Sequence, residues 1–170
     1  RDSPNIPSEE VFTTPHALRV EGYVSSTKPL SHQGTLIDNI RVVFEKGSIT
    51  DAKASKGETV LKKVLESDEG ARRLGEVALV PNSSPISNSG LLFYNTLFDE
   101  NAACHIALGQ CYSKCFKGET NLSTSEIRER GGNSSMIHID WMIGSGEIDI
   151  DGFGKNGEIV PIFRKGEWVD

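Results

Sequence analysis

The chain has 170 residues, enough for one domain that buries a hydrophobic core without disulfide staples. Its 36% apolar and 25% charged residues match a globular protein, and no apolar run approaches the roughly 18–20 residues of a membrane-spanning helix. Eighteen Lys and Arg against 24 Asp and Glu leave a net charge of −6, with 11 basic and 12 acidic residues in 1–85 and 7 and 12 in 86–170. This distribution offers no basic footprint for nucleic acid.

Near the start, 17–25 alternates apolar and polar residues, and 35–37, 40–45 and 48–54 follow as short β-prone runs broken by Gly34, Asp38-Asn39 and Gly47. An antiparallel meander is predicted, with Glu45-Lys46-Gly47-Ser48 as a hairpin turn. Residues 58–74 place Val60, Leu61, Val64, Leu65 and Leu74 on a helical period, with Gly75 as the stop. A strand is expected at 76–80. The Ser, Asn and Pro of 82–90 predict a loop. A helical turn at 96–103 then gives way to a strand or loop near His105. Ser123-Thr124-Ser125-Glu126 carries the N-cap pattern of a short helix. Three strands follow, at 136–143, 147–152 and 158–164, the last two joined by an Asn156-Gly157 turn. Without regular βαβ alternation, the fold class expected is α/β of the α+β kind, with a mixed, largely antiparallel sheet and a few helices.

Cys104, Cys111 and Cys115 are odd in number and form no CxxC pair. Free thiols in a reducing, cytoplasmic setting are the expectation. A zinc knuckle of Cys104, His105, Cys111 and Cys115 is the competing reading, but its spacing matches no usual structural zinc pattern and adjacent ligands strain a tetrahedron. The sequons at Asn82, Asn121 and Asn133 carry no weight without a secretory route. The chain opens Arg1-Asp2-Ser3-Pro4, with neither an initiator Met nor a signal peptide, so a segment of a longer polypeptide is expected.

The sharpest chemical signal is His138-Ile139-Asp140 in a strand-like stretch. Strand alternation projects positions 138 and 140 from one face, where an imidazole and a carboxylate can share a cation. The plainer alternative is a hydrogen-bonded pair on a sheet surface. Glu9-Glu10, Glu76 at the start of a strand, and His105 are each weak signals alone. Together, Glu10, Glu76, His105, His138 and Asp140 form a set of three carboxylates and two imidazoles, a donor set suited to Zn, Co or Mn and able to bridge two ions. No HExxH, GxxxxGK[ST] or GxSxG motif is present, which removes zincins and the common P-loop nucleotide and serine-hydrolase readings.

Four stretches resemble the metalloaminopeptidase family typified by aminopeptidase T, aminopeptidase S and PepS. They are NIPSEEVFTTP (5–15), RLGEVALV (73–80), LFDENAACHIALG (97–109) and HIDWMIG (138–144), and 147–170 is similar to the family's closing strands. The resemblance implies that residues 1–170 are a single metal-binding catalytic domain, the C-terminal one of a two-domain homodimeric enzyme whose N-terminal domain lies outside this chain. It implies Glu10, Glu76, His105, His138 and Asp140 as ligands of two divalent ions (Zn, Co, Mn or Mg), with Glu76 bridging. Glu9 would be the general base, with Glu9 and Glu10 interchangeable in role, and Tyr112 would approach the metals. The activity implied is removal of N-terminal residues from peptides with a free α-amino group, through a bridging hydroxide. A dinuclear phosphoesterase or amidohydrolase, and a noncatalytic interaction domain, are the alternatives. Convergence of the five ligand-type residues in space discriminates against the last.

Overall fold

A computed structural model of the chain describes residues 9–118 and 121–169. Asn5–Ser8 of the first matching stretch therefore lie outside the described residues. The architecture is α+β, and every strand pairing is antiparallel. In chain order, β1 (Val11–Thr13) and β2 (Gly22–Ser25) precede two hairpins. One joins β3 (Leu30–His32) to β4 (Thr35–Ile37), and the other joins β5 (Arg41–Glu45) to β6 (Ser48–Lys53). Both turn through a pair of residues with positive φ, Gln33-Gly34 and Lys46-Gly47, the type I′ geometry whose twist matches the strands. Of 17–25, only 22–25 is paired, in the sheet β2-β5-β6.

Helix α1 (Glu58–Leu65) buries Leu61 and Leu65. The helix expected over 58–74 stops here because Asp68 competes for the backbone: its carboxylate accepts from the Ala71 amide at 2.8 Å and caps a 3₁₀ turn, Glu69–Arg72. Leu74 then opens β7 (Leu74–Leu79), so Gly75 is a strand residue rather than a helix stop. The expected loop at 82–90 contains a short helix, α2 (Pro85–Ser89). Ser84 caps it by accepting from the Ser87 amide, Pro85 stands at its first position, and Gly90 ends it at φ 65°. The same Ser and Pro that read as loop chemistry are thus a helix start.

Next come α3 (Thr96–Asp99), a 3₁₀ turn over Glu100–Ala102, β8 (His105–Gly109) and a 3₁₀ turn at Ser113–Cys115. Helix α4 (Thr124–Glu129) carries the capping box of Ser123 and Glu126, and β9 (His138–Met142) follows. A separate sheet of β10 (Ile150–Phe153), β11 (Ile159–Arg164) and the short β12 (Glu167–Trp168) closes the chain.

The sheet that positions the site runs β1-β7-β8-β9. One of its faces contributes Leu74, Ile106, Leu108 and Trp141 to a core shared with Val42, Phe44 and Ile49 of the neighbouring sheet and Leu61 and Leu65 of α1. The other face carries the polar residues. Asp68 fastens the two ends of this arrangement, since its carboxylate also accepts from the Ser135 hydroxyl at 2.8 Å and the Met136 amide at 2.6 Å, just before β9. Burial raises its pKa, but the Met136, Ser135, Ala71 and Gly70 bonds outweigh that and hold it below the usual range. Its stabilisation is therefore present above the unfolded pKa and is lost as pH falls through the lower folded value. Because the group is half-exposed, Asp68→Ala should cost about 1–2 kcal/mol at pH 7. In urea titrations the difference from the parent should shrink at pH 3, and a constant difference would contradict this role.

Candidate metal centre

Glu76, His105, His138 and Asp140 come from the three adjacent strands β7, β8 and β9, and Glu10 lies immediately before β1. Registers Glu76↔Ala107, Ala107↔Asp140 and Gly109↔His138 put their side chains on one face. Glu76 needs a special device. Leu74 is in the core, so unbroken alternation would send Glu76 there too. A bulge between Leu74 and Glu76 inserts Gly75, rephases the strand and turns the carboxylate to the polar face. Gly75 is required because an added Cβ would overlap the carbonyl oxygens of Gly109 and Gln110.

All five ligand-type residues converge. His105 Nε2 lies 3.3 Å from Glu10 Oε2 and 3.7 Å from Glu76 Oε1, and His138 Nε2 lies 3.6 Å from Glu76 Oε2 and 3.4 Å from Asp140 Oδ1. The Glu76 carboxylate thus spans the two imidazoles, one oxygen to each. These separations resemble the edge of a tetrahedron with bonds of about 2.0–2.1 Å, which is about 3.3–3.4 Å. Glu10 Oε2, Glu76 Oε2 and His105 Nε2 are buried and have no hydrogen-bond partner among the described residues, a costly state for a polar atom unless something else occupies its lone pair.

The far nitrogens of both rings are occupied. His105 Nδ1 donates to the Ala103 carbonyl at 3.1 Å and His138 Nδ1 to the Gln110 carbonyl at 2.7 Å. Those bonds orient each ring with Nε2 inward, as backbone carbonyls do for metal-ligating histidines. The donor set fits a divalent metal. Burial alone would lower the pKa of His105, but Glu10, Glu76, Asp140 and the Ala103 carbonyl overcome it and raise it to about 10. For His138 burial is likewise outweighed, by Asp140, the Gln110 carbonyl and Glu76, giving about 9.

A sixth group escaped the sequence reading. Glu100, buried in the 3₁₀ turn that leads into β8, shares a cluster with His105 and Asp140. Burial, then Glu10, Asp140 and Glu76, raise its pKa to about 7 against the lowering effect of His105. Its position five residues before His105 was the available signal, but neither strand nor helix periodicity relates the two. Glu10, rather than Glu9, has its carboxylate at His105. Glu9 is half-buried and its amide donates to Asn101 Oδ1 at 2.8 Å. The Tyr112 ring packs edge-on against His138, with centroids 5.0 Å apart. Burial, followed by Glu76, Asp140, Glu100 and Glu10, pushes its hydroxyl up to about 12.

Cys104, Cys111 and Cys115 are free, and none belongs to a metal-competent group among the described residues. The zinc-knuckle reading therefore finds no support.

With this geometry in place, similarity to known proteins decides the family. Residues 1–168 match the thermophilic metalloprotease (M29) family. The chain belongs to that family. It is 55% identical over 167 residues to aminopeptidase T of Thermus aquaticus and 51% identical over 166 residues to aminopeptidase PepS of Streptococcus thermophilus, covering 98% of this chain and 40% of each relative. The solved structure of wild-type AmpT from Thermus thermophilus superposes with a TM-score of 0.92 at 53% identity, covering 98% of this chain and 41% of that one. The chain thus spans about two fifths of the length of these M29 relatives, consistent with one domain of a two-domain protein. No helix among the described residues is long and apolar enough to cross a membrane.

Proposed function

We propose that this chain carries the metal centre of a cytoplasmic, homodimeric aminopeptidase that hydrolyses N-terminal residues of peptides. The carrying observation is the Glu76 carboxylate between the two inward-facing imidazoles, and the names of the M29 relatives supply the substrate class. Glu10, Glu76, His105, His138 and Asp140 would hold two divalent ions (Zn, Co, Mn or Mg), Glu76 being the carboxylate that lies between the two imidazoles. Such ions supply Lewis acidity toward the scissile carbonyl, a site for the α-amino group and a lowered pKa for water.

The protein's own groups do the rest. Glu9 takes the water proton and returns it to the leaving amine, work suited to a carboxylate within hydrogen-bond reach. Tyr112, protonated throughout the neutral range, donates its hydroxyl hydrogen to the developing oxyanion. A phosphoester substrate is disfavoured, because the ion pairs of Glu10, Glu76 and Asp140 among the described residues are with His105 and His138 rather than with Lys or Arg.

Metal and protons compete for the imidazoles. Both histidines have folded pKa values above the unfolded value of about 6.5. Their imidazolium–carboxylate pairs stabilise the metal-free protein fully below that value, and this stability is lost as pH rises through about 9 and then about 10. Metal affinity should rise over the same range. The test uses full-length protein stripped with a chelator and assayed on leucine p-nitroanilide. Turnover should vanish and return with Zn, Co or Mn. Calorimetry at pH 7 should find two ions per chain and release of about two protons. Metal-independent turnover would sink the proposal, and saturation at one ion would sink its dinuclear form.

A further inference from the structure

We propose that Asn101 is a positioning residue for the candidate metal centre: its side-chain oxygen holds the Glu9 amide and so sets where the carboxylates of Glu9 and Glu10 stand. This rests on the metal-centre reading above and concerns a residue outside the donor set.

The segment that carries Glu9 and Glu10 lies just past the end of its own ladder. The β1–β7 register stops at Val11↔Leu79, and if continued it would set Glu10 opposite Val80 and Glu9 opposite Pro81. Val80 is already engaged, its amide donating to the Cys104 thiol and its carbonyl accepting from it, at 3.4 Å each. Pro81 has no amide to offer. The sheet therefore gives these two positions little to pair with. The Glu9 amide donates instead to Asn101 Oδ1 at 2.8 Å, across 92 residues of chain.

Asn101 holds that bond in one geometry. It is fully buried, its Nδ2 donates to the Leu97 carbonyl at 3.0 Å, and its own carbonyl accepts from the Ser84 hydroxyl at 2.7 Å. Reversing the amide would set Nδ2 against the Glu9 N–H and the oxygen against the Leu97 carbonyl, so the two bonds fix its orientation together. Asn101 lies in the 3₁₀ turn Glu100–Ala102, shortly before β8, the strand that opens with His105. The bond thus ties the Glu9-Glu10 backbone to the element that carries His105, whose Nε2 stands 3.3 Å from Glu10 Oε2. Glu10, Glu76 and His105 form one metal-competent group, and Glu76, His138 and Asp140 form another. A tether on Glu9 acts on the first and leaves the second alone.

The test uses metal-stripped full-length protein, followed by amide hydrogen exchange and by calorimetric titration with zinc. In Asn101→Ala the Glu9 amide should exchange at least about tenfold faster, while the amides of Ile106 and Ala107 in β8 keep their protection. One zinc ion should bind about 10–100-fold more weakly, and the other should stay within about threefold of its parental affinity. Asn101→Asp keeps the volume and an oxygen for the Glu9 amide, so it should retain parental exchange at Glu9 and both affinities; it decides the matter if Asn101→Ala does not fold. Ser123→Ala, which removes the remote cap of α4, should lose stability with neither change. Retention of both affinities in Asn101→Ala, an equal loss in Ser123→Ala, or a freely exchanging Glu9 amide in Asn101→Asp would each overturn the proposal. If the parent binds no zinc, the metal-centre reading fails, while exchange at Glu9 still decides the tether.

Discussion

Glu76→Gln is expected to lower turnover of leucine p-nitroanilide by more than about a hundredfold and to leave fewer than two tightly bound ions per chain. The substitution keeps the volume and one carbonyl-type oxygen but removes the charge and replaces the other oxygen by an amide donor. In this site the replaced atom faces either His105 Nε2 at 3.7 Å or His138 Nε2 at 3.6 Å. Whichever way the amide turns, one half of the cluster loses a shared anionic ligand. Loss of an outer partner of a metal ligand typically costs 10–100-fold, and loss of a ligand common to both halves should exceed that. The checks are steady-state kinetics and metal analysis of the dialysed full-length protein. Two ions and normal kcat in the variant would mean that Glu76 is a bystander.

Gly75→Ala should be nearly as damaging, although residue 75 has no functional group. Its Cβ would collide with the carbonyls of Gly109 and Gln110. The Gln110 carbonyl accepts from His138 Nδ1 at 2.7 Å, and the Gly109 carbonyl accepts from Asn133 Nδ2 at 2.7 Å. Backbone cannot give way as a flexible side-chain tip can, so β7 and the loop after β8 must separate. Stability should fall by about 1–3 kcal/mol. Metal affinity should fall by about 10–100-fold, because the outer support of His138 and the phasing of Glu76 move together. Urea unfolding of the metal-free protein separates the first effect from the second. A variant that loses stability but retains parental metal affinity would show that the bulge serves packing alone.

These two residues also show how far the linear chain can be read. His138 and Asp140 were legible as a pair because strand alternation is local: two residues apart means one face, whatever the rest of the molecule does. The capping box of Ser123 and Glu126 and the Lys46-Gly47 turn were legible for the same reason, since their hydrogen bonds and dihedral preferences span four residues or fewer. The helix drawn through 58–74 failed at a point where local and long-range demands compete. Asp68 bonds to Ser135 and Met136, 67 and 68 residues away, and no helical period contains that information.

Glu76 was a weak signal on its own and Glu100 was hidden, for different reasons. Glu76 carries no motif of its own, and its orientation depends on a bulge that exists only because β8 packs against β7. Glu100 sits in a 3₁₀ turn whose direction is set by the start of β8, and its pKa near 7 is a product of burial among other carboxylates. Neither the bulge nor the turn leaves a repeating pattern in the residues that form it.

The amino-acid sequence by itself determined the composition of the site: carboxylates and imidazoles without thiolates, on an α+β chain of antiparallel strands. It did so because donor chemistry and strand alternation are properties of residues and their nearest neighbours. Only the tertiary structure decided which oxygen faces which nitrogen, that Glu10 rather than Glu9 meets His105, and that Glu100 joins the cluster. Those outcomes follow from the register of four strands and one inserted glycine, and a shift of one residue in any of them would turn a ligand toward the core.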